Sequence, residues 1–260
     1  MDAWRKTLLS GLSCACMAVA HADTLRCVTK DYPPLEYANA NGQAAGITYN
    51  IVAPILKKMG YGLEVEVLPW VRALELVRTG QRDCVFSIFK TPEREAFLDY
   101  SKEVVVPQVV YVYARKGHKI SFSGDLAELK GMKVGVQHGF NYGLKFDAYK
   151  NQLDLDVAFS FEQNFRKLAL GRIDAVLCNL YAATHTFKAL ERPVVNEIER
   201  LPAQVESVPS YIAFSRSKRL TAIRDQFDQE LHRFVASGEY RRVIESYQIP
   251  AEALGFFFKR

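Results

Sequence analysis

Two stretches of the chain, LVRTGQRDCVFS at 76–87 and KLALGRIDAVLC at 167–178, carry the same features in the same order. A helical run closes on a glycine (Gly80, Gly171), an aspartate follows three residues later (Asp83, Asp174), and a short apolar run ends four residues beyond it. What precedes each copy also matches. In the first, the apolar run Leu25 to Thr29 reads as a strand. Ile51, Val52, Ile55, Leu56 and Met59 recur at helical spacing up to Gly60, and Leu63 to Leu68 alternates as a strand does. Pro69 then opens a helix whose expected apolar face is Val71, Leu74 and Val77, and Cys84 to Ser87 is the third strand. In the second, Met132 to Val136, Leu153 to Phe159 and Ala175 to Cys178 are strands, with helices ending near Tyr149 and at Leu170 between them. Each half is therefore β-α-β-α-β, a pattern that demands parallel strands joined by right-handed crossovers. The chain is predicted to be α/β, with two such lobes.

Val104 to Ala114 is an extended apolar run that carries the chain from the first half to the second, and Val208 to Phe214 returns it. Arg219 to Ser246 reads as helical, with Leu220, Ile223, Phe227, Leu231 and Phe234 on one face, and is expected to pack back on the first half. The expected division is 23–107 plus 208–260 for the larger lobe and 108–207 for the smaller. Two crossings between lobes form a hinge, and hinge closure around a ligand is the motion this layout allows.

The N-terminus has a separate logic. Arg5 and Lys6 precede an uncharged run, Thr7 to Ala20, that ends in Ala20-His21-Ala22. A positive segment, an apolar run and an A-x-A site describe a secretory signal peptide over 1–22, cleaved before Asp23. Cys14 or Cys16 as a lipid-anchor site is the competing reading. Export to an oxidising compartment permits a disulfide among Cys27, Cys84 and Cys178. Cys27 and Cys84 are the one pair considered, because their strands are expected to be neighbours. Bridging adjacent parallel strands is geometrically demanding, so the sequence favours free thiols. The formal net charge of +5 is interspersed, without a long basic run, which argues against nucleic acid as a partner. No Cys/His spacing indicates a metal, and no cofactor is expected.

In open α/β sheets, ligands bind beyond the carboxyl ends of the strands. The third strand ends there with Ser87, followed closely by Phe89, Lys90, Thr91 and Arg94. A hydroxyl, an aromatic face and a guanidinium delivered together suit a small molecule bearing a carboxylate, whose two oxygens match the guanidinium fork. On the far side, His138 stands at the end of the second half's first strand.

Six segments, YPPLEY, GITYNIVAPI, LPWVRAL, GQRDCVFS with TPEREAFLDYS, LKGMKVGVQHGFNYG and LGRIDAVLCNL, together resemble the bacterial extracellular solute-binding proteins of family 3, the amino-acid receptors of ABC importers. The resemblance covers the chain from residue 23 onward. It implies a type II periplasmic binding fold, two lobes joined by a two-strand hinge and closing on a polar ligand. It also implies that Tyr32 and Trp70 stack on the ligand, that Arg94 grips its α-carboxylate, and that Ser87 and Phe89 contribute at the strand end. In the second lobe the turn Phe140-Asn141-Tyr142 is implied to offer a helix start to the carboxylate. Asn179 takes the place where the family's amino-acid binders usually hold the ligand's ammonium with an aspartate, and Phe89 takes a place that is often Ser or Thr. These departures turn the pocket toward a carboxylate with an apolar body or a modified amino acid.

The function implied is a periplasmic monomer that captures an amino-acid-like ligand and delivers it to an ABC permease. A ligand-presenting subunit for a sensor kinase or chemoreceptor is the alternative. A periplasmic dehydratase acting on prephenate-like or arogenate-like acids ranks below both, because an enzyme needs a general acid at the leaving group. Glu36 is the nearest carboxylate, and the sequence does not show it facing inward.

Overall fold

The computed structural model describes residues 23–249. The expected signal peptide, Cys14, Cys16 and the final residues lie outside them. In chain order, the first part contains β1 (Thr24–Thr29), β2 (Tyr37–Ala38), β3 (Ala44–Ala45), α1 (Ile47–Lys58), β4 (Gly62–Val67), α2 (Trp70–Arg78), β5 (Cys84–Ile88), α3 (Pro92–Glu95) and β6 (Leu98–Tyr100). Strand β7 (Val106–Arg115) leads into β8 (Lys133–Gln137), α4 (Leu144–Tyr149), β9 (Asp154–Ala158), α5 (Phe161–Ala169), β10 (Ala175–Asn179), α6 (Leu180–Ala189) and α7 (Arg192–Asn196). The long strand β11 (Ile198–Ser215) returns the chain to α8 (Thr221–Ala236) and α9 (Glu239–Ser246).

Among the described residues nine strands form one sheet along the path β4-β1-β5-β11-β7-β10-β8-β9, with β6 added on β11, while β2 and β3 pair in a separate antiparallel ribbon. β4, β1 and β5 are mutually parallel, as are β10, β8 and β9. The two parallel triplets meet through the antiparallel strands β11 and β7. β7 is buried from Val106 to Ala114, which its apolar sequence allows. The changeover at residues 107 and 208 read from the sequence falls inside this ladder, where Pro107 faces Pro209 and Gln108 faces Val208.

The repeated Gly-x-x-Asp has a structural purpose in both halves. Gly80 (φ 74°) and Gly171 (φ 66°) end α2 and α5 in the left-handed region that a side chain disfavours. Each aspartate then clamps the first strand of its own half. Arg26 N–H donates to Asp83 Oδ2 at 2.8 Å while Asp83 N–H donates to Arg26 O at 2.8 Å. Lys133 N–H donates to Asp174 Oδ2 at 2.7 Å while Asp174 N–H donates to Lys133 O at 2.9 Å. The aspartate thus sets where the third strand enters beside the first.

Three expectations are corrected. Val71 is 81% exposed, because the buried stripe of α2 is Ala73 and Val77 and Val71 lies round the far side of the helix. Two successive prolines after Tyr32 imply an extended loop in the sequence, yet the Pro33-Pro34 segment is a tight turn, closed by Tyr32 N–H donating to Glu36 O at 2.7 Å and Leu35 N–H donating to Tyr32 O at 2.9 Å. Cys27 and Cys84 form a disulfide, whereas Cys178 is free and buried. They are register partners on β1 and β5 with Cα atoms 4.5 Å apart, close enough to bridge across parallel strands. At the C-terminus, α8 and α9 anchor to the first half. Asp228 accepts the N–H of Lys102 and Glu103 at 3.1 Å, and Tyr240 Oη donates to Val105 O at 3.0 Å.

Two measurements follow. The disulfide closes a separation of 57 residues, so reduction, or the Cys27→Ser/Cys84→Ser double variant, is expected to lower stability by about 4 kcal/mol on the chain-entropy scale. Chemical denaturation with and without reductant reads this, and an unchanged midpoint refutes it. Asp83→Ala and Asp174→Ala should each cost about 1–2 kcal/mol, and the Asn variants less, because an amide oxygen still accepts the strand N–H.

Candidate functional site

A cleft of about 360 Å³ lies between the two halves, beyond the carboxyl ends of β1, β4, β5 and β8. Tyr32, Trp70, Ser87, Phe89 and Arg94 line one wall, and Phe140 and Asn141 line the other. Of the nine residues implied by the resemblance, these seven come together. Tyr142 and Asn179 do not reach the cleft surface. Tyr142 is buried behind Phe140, with ring centres 4.9 Å apart, and its hydroxyl accepts Gln137 N–H at 2.6 Å. Asn179 is buried at the start of α6, where its Oδ1 accepts Tyr181 N–H at 2.8 Å. That is the ordinary work of an asparagine at a helix start.

The implied helix start at 140–142 is also largely engaged. α4 begins later, at Leu144. Gly143 N–H donates to Asn141 Oδ1 at 2.9 Å and Lys145 N–H to the Glu206 carboxylate at 2.9 Å. Gly143 (φ 99°) is needed here, because a Cβ would collide with Glu206 and Val208.

The position of Ser87 depends on a backbone irregularity. Tyr211 and Ile212 on β11 pair with Ile88 and Phe86 on β5, so Ser87 is left over as the extra residue of a β-bulge. Its φ is 58°, a left-handed conformation unusual for serine. The bulge holds its hydroxyl 2.9 Å from that of Thr48, and both hydroxyls hydrogen-bond to Glu36 Oε2. Glu36 is therefore under the cleft floor. Burial raises its pKa to about 8, against the opposing effects of the Ser87 hydrogen bond, the Lys30 charge and the Thr48 hydrogen bond. At neutral pH the floor is a hydroxyl-lined, largely uncharged patch.

The walls carry the charge. The Arg94 guanidinium lies 5.5 Å from the Trp70 ring centre and donates to Phe89 O at 3.1 Å, which fixes it on the wall. The α3 turn presents it, with the Thr91 hydroxyl accepting Arg94 N–H at 3.3 Å. Lys30, not anticipated from the sequence, places its ammonium 4.4 Å from the Tyr32 ring centre and 5.6 Å from that of Trp70. Burial lowers the pKa of Lys30, Glu36 opposes that, and the Arg94 charge adds to it. Tyr32 meets Phe140 across the cleft with ring centres 5.8 Å apart, and Phe140 rests on Phe161 at 4.9 Å. His138 lines the mouth and is exposed. A smaller chamber of about 260 Å³ continues past Phe89, Thr91 and Asn141 toward Leu144 and Tyr211.

Glu36 makes folding depend on pH in a direction opposite to most carboxylates. Its folded pKa lies above the unfolded one, so the native state binds the extra proton between about pH 4.5 and 8. Its contribution is full below that window and falls by at most about 1.4 kcal/mol per pH unit within it. Denaturation midpoints measured from pH 5 to pH 8 should fall more steeply in the wild type than in Glu36→Gln; equal slopes refute the assignment.

Comparison with known proteins matches this architecture. The model of the bacterial extracellular solute-binding proteins, family 3, matches residues 25–249. The arginine-binding extracellular protein ArtP of Bacillus subtilis (strain 168) is 27% identical over 228 residues, covering 82% of this chain and 81% of that protein. Among solved structures, substrate-binding domain 2 of Lactococcus lactis GlnP in an open conformation superposes with a TM-score of 0.68 at 18% identity, covering 89% of this chain and 97% of that one. A histidine kinase sensor domain with similarity to periplasmic binding proteins superposes with a TM-score of 0.62 at 18% identity, covering 86% of this chain and 95% of that one. Both structural likenesses concern the fold. With two parallel triplets, a cleft at their strand ends and a family model spanning nearly all the described residues, this chain belongs to the bacterial extracellular solute-binding proteins, family 3.

Proposed function

We propose that the chain is a periplasmic receptor that captures a small carboxylate-bearing ligand, an amino acid or a close analogue, and passes it to an ABC permease. The observation that carries this is Arg94, held on Trp70 at the carboxyl ends of the parallel strands, with no carboxylate paired to it among the described residues. A guanidinium so placed has its remaining donors available for a bidentate carboxylate contact. The ligand docks first against Tyr32, Trp70, Ser87, Phe89 and Arg94. The opposite wall, with Phe140 and Asn141, closes over it, and bending of β7 and β11 supplies the motion. Tyr142 and Asn179 act from behind that wall by holding Phe140 and the start of α6. The relatives' binding of amino acids supports the ligand class, and the family's extracellular solute-binding description supports an exported receptor that acts by binding.

The likeness to a sensor domain is one of fold, so signalling through a kinase stays the lesser reading. Turnover of a bound acid would favour the dehydratase reading instead.

The test is a calorimetric titration of amino acids and aromatic carboxylates into the wild type and Arg94→Ala. A ligand that binds the wild type should lose about a hundredfold in affinity in the variant, as expected for a charge-assisted contact, while the melting curve without ligand stays within a few degrees. Equal affinity in the two proteins refutes the site.

A further inference from the structure

The cleft contains a second cation that the carboxylate-binding reading leaves unused. The Lys30 ammonium is presented to two aromatic faces at once, Tyr32 and Trp70. Trp70 also carries Arg94, so the two positive centres are at most about 11 Å apart. Among the described residues no carboxylate lies within ion-pairing distance of Lys30. Glu36, the acid whose charge acts most on it, is buried under Ser87 and Thr48 and holds its proton at neutral pH. Among the described residues Asp31 is the only carboxylate lining the cleft, and it is exposed at the rim. At the position behind the far wall, Asn179 is neutral and committed to α6.

We propose that Lys30 determines specificity by binding a second acidic group of the ligand, so that the site selects short dicarboxylates and rejects ligands with a cationic side chain. This rests on the reading of the cleft as a carboxylate-binding site centred on Arg94. A cationic head seeking the faces of Tyr32 and Trp70 would find them already covered by an ammonium, with like charges in contact. An acidic group there instead gains a cation in a half-buried setting, where screening by water is reduced. The amino group of the ligand plays no part in the choice, so an acidic amino acid and its des-amino analogue both qualify. The Phe140 wall and the uncharged floor accommodate the carbon chain between the two acids.

The experiment titrates L-glutamate, glutarate, L-glutamine and L-arginine into the wild type, Lys30→Gln, Lys30→Arg and Arg94→Gln. The wild type should bind glutamate and glutarate, and bind glutamine and arginine more weakly by about tenfold or more, the scale of one charge-assisted hydrogen bond. Lys30→Gln should lose about that factor for the two diacids, leave glutamine within about threefold, and so erase the preference. Lys30→Arg should restore it, which separates a charge contact from a packing role. Glutamine or arginine bound as tightly as glutamate, or a preference that survives Lys30→Gln, overturns the role of Lys30 while Arg94→Gln still abolishes binding. A wild type that binds no probe, or binding that survives Arg94→Gln, removes the Arg94 site and this inference with it.

Discussion

The structure depends on the antiparallel ladder between β7 and β11. Each half brings a parallel triplet whose third strand, β5 or β10, would otherwise present an unpaired edge. The ladder covers both edges at once, β11 against β5 and β7 against β10. The free N–H and C=O groups of an edge must find partners when the strand is buried, and here each half obtains them from a strand that also belongs to its neighbour. The halves are therefore held by shared backbone pairing as well as by packed surfaces. The strand ends of both triplets open toward one cleft. β11 departs from regular pairing between Arg200 and Gln204 and again near Glu206, so the ladder is irregular on the side of the second half.

Much of this was legible because it is periodic. Apolar spacing located the strands and the longer helices, and the duplicated Gly-x-x-Asp fixed where the halves correspond. What was not legible depended on three-dimensional closure. β11 starts at Ile198, ten residues before the expected crossing, because IERLPAQVES mixes charges with apolar residues and contains Pro202, so it lacks the signal of a buried strand. At Asn179 the sequence leaves a ligand contact and the cap of a following helix evenly matched, and only the folded α6 shows the cap bonds. The Cys27–Cys84 bond needed the register of β1 on β5, which no single-strand pattern reveals. The bulge at Ser87 is a mismatch between two strands far apart in sequence and cannot be seen in either alone.

The candidate site divides in the same way. Residues delivered by local geometry, Trp70 at a helix start and Arg94 on a one-turn helix, line the cleft as read from the sequence. Tyr142 and Asn179 share the right loops, yet their side chains turn inward and support the wall. The place of Lys30 is not legible in the sequence, because a long flexible side chain gives no directional signal there. Its position follows from Tyr32 and Trp70, two aromatic surfaces brought together from separate crossovers. Glu36 shows the same effect from the opposite side: the tight turn after Tyr32 folds this acid beneath the floor, where burial keeps it uncharged and the cationic walls dominate the cleft. The net sign of the site is thus a product of tertiary structure.

The paired aspartates separate the frame of each half from the site it carries. Asp83 and Asp174 hold their strands through main-chain groups, which any residue but proline supplies, so the clamp places little demand on the side chains of Arg26 or Lys133. Mutation can rewrite nearly every surface that meets a ligand while this joint stays intact. The frame of each half, a glycine, an aspartate three places on and a short apolar run, is thus specified apart from the side chains that line the cleft.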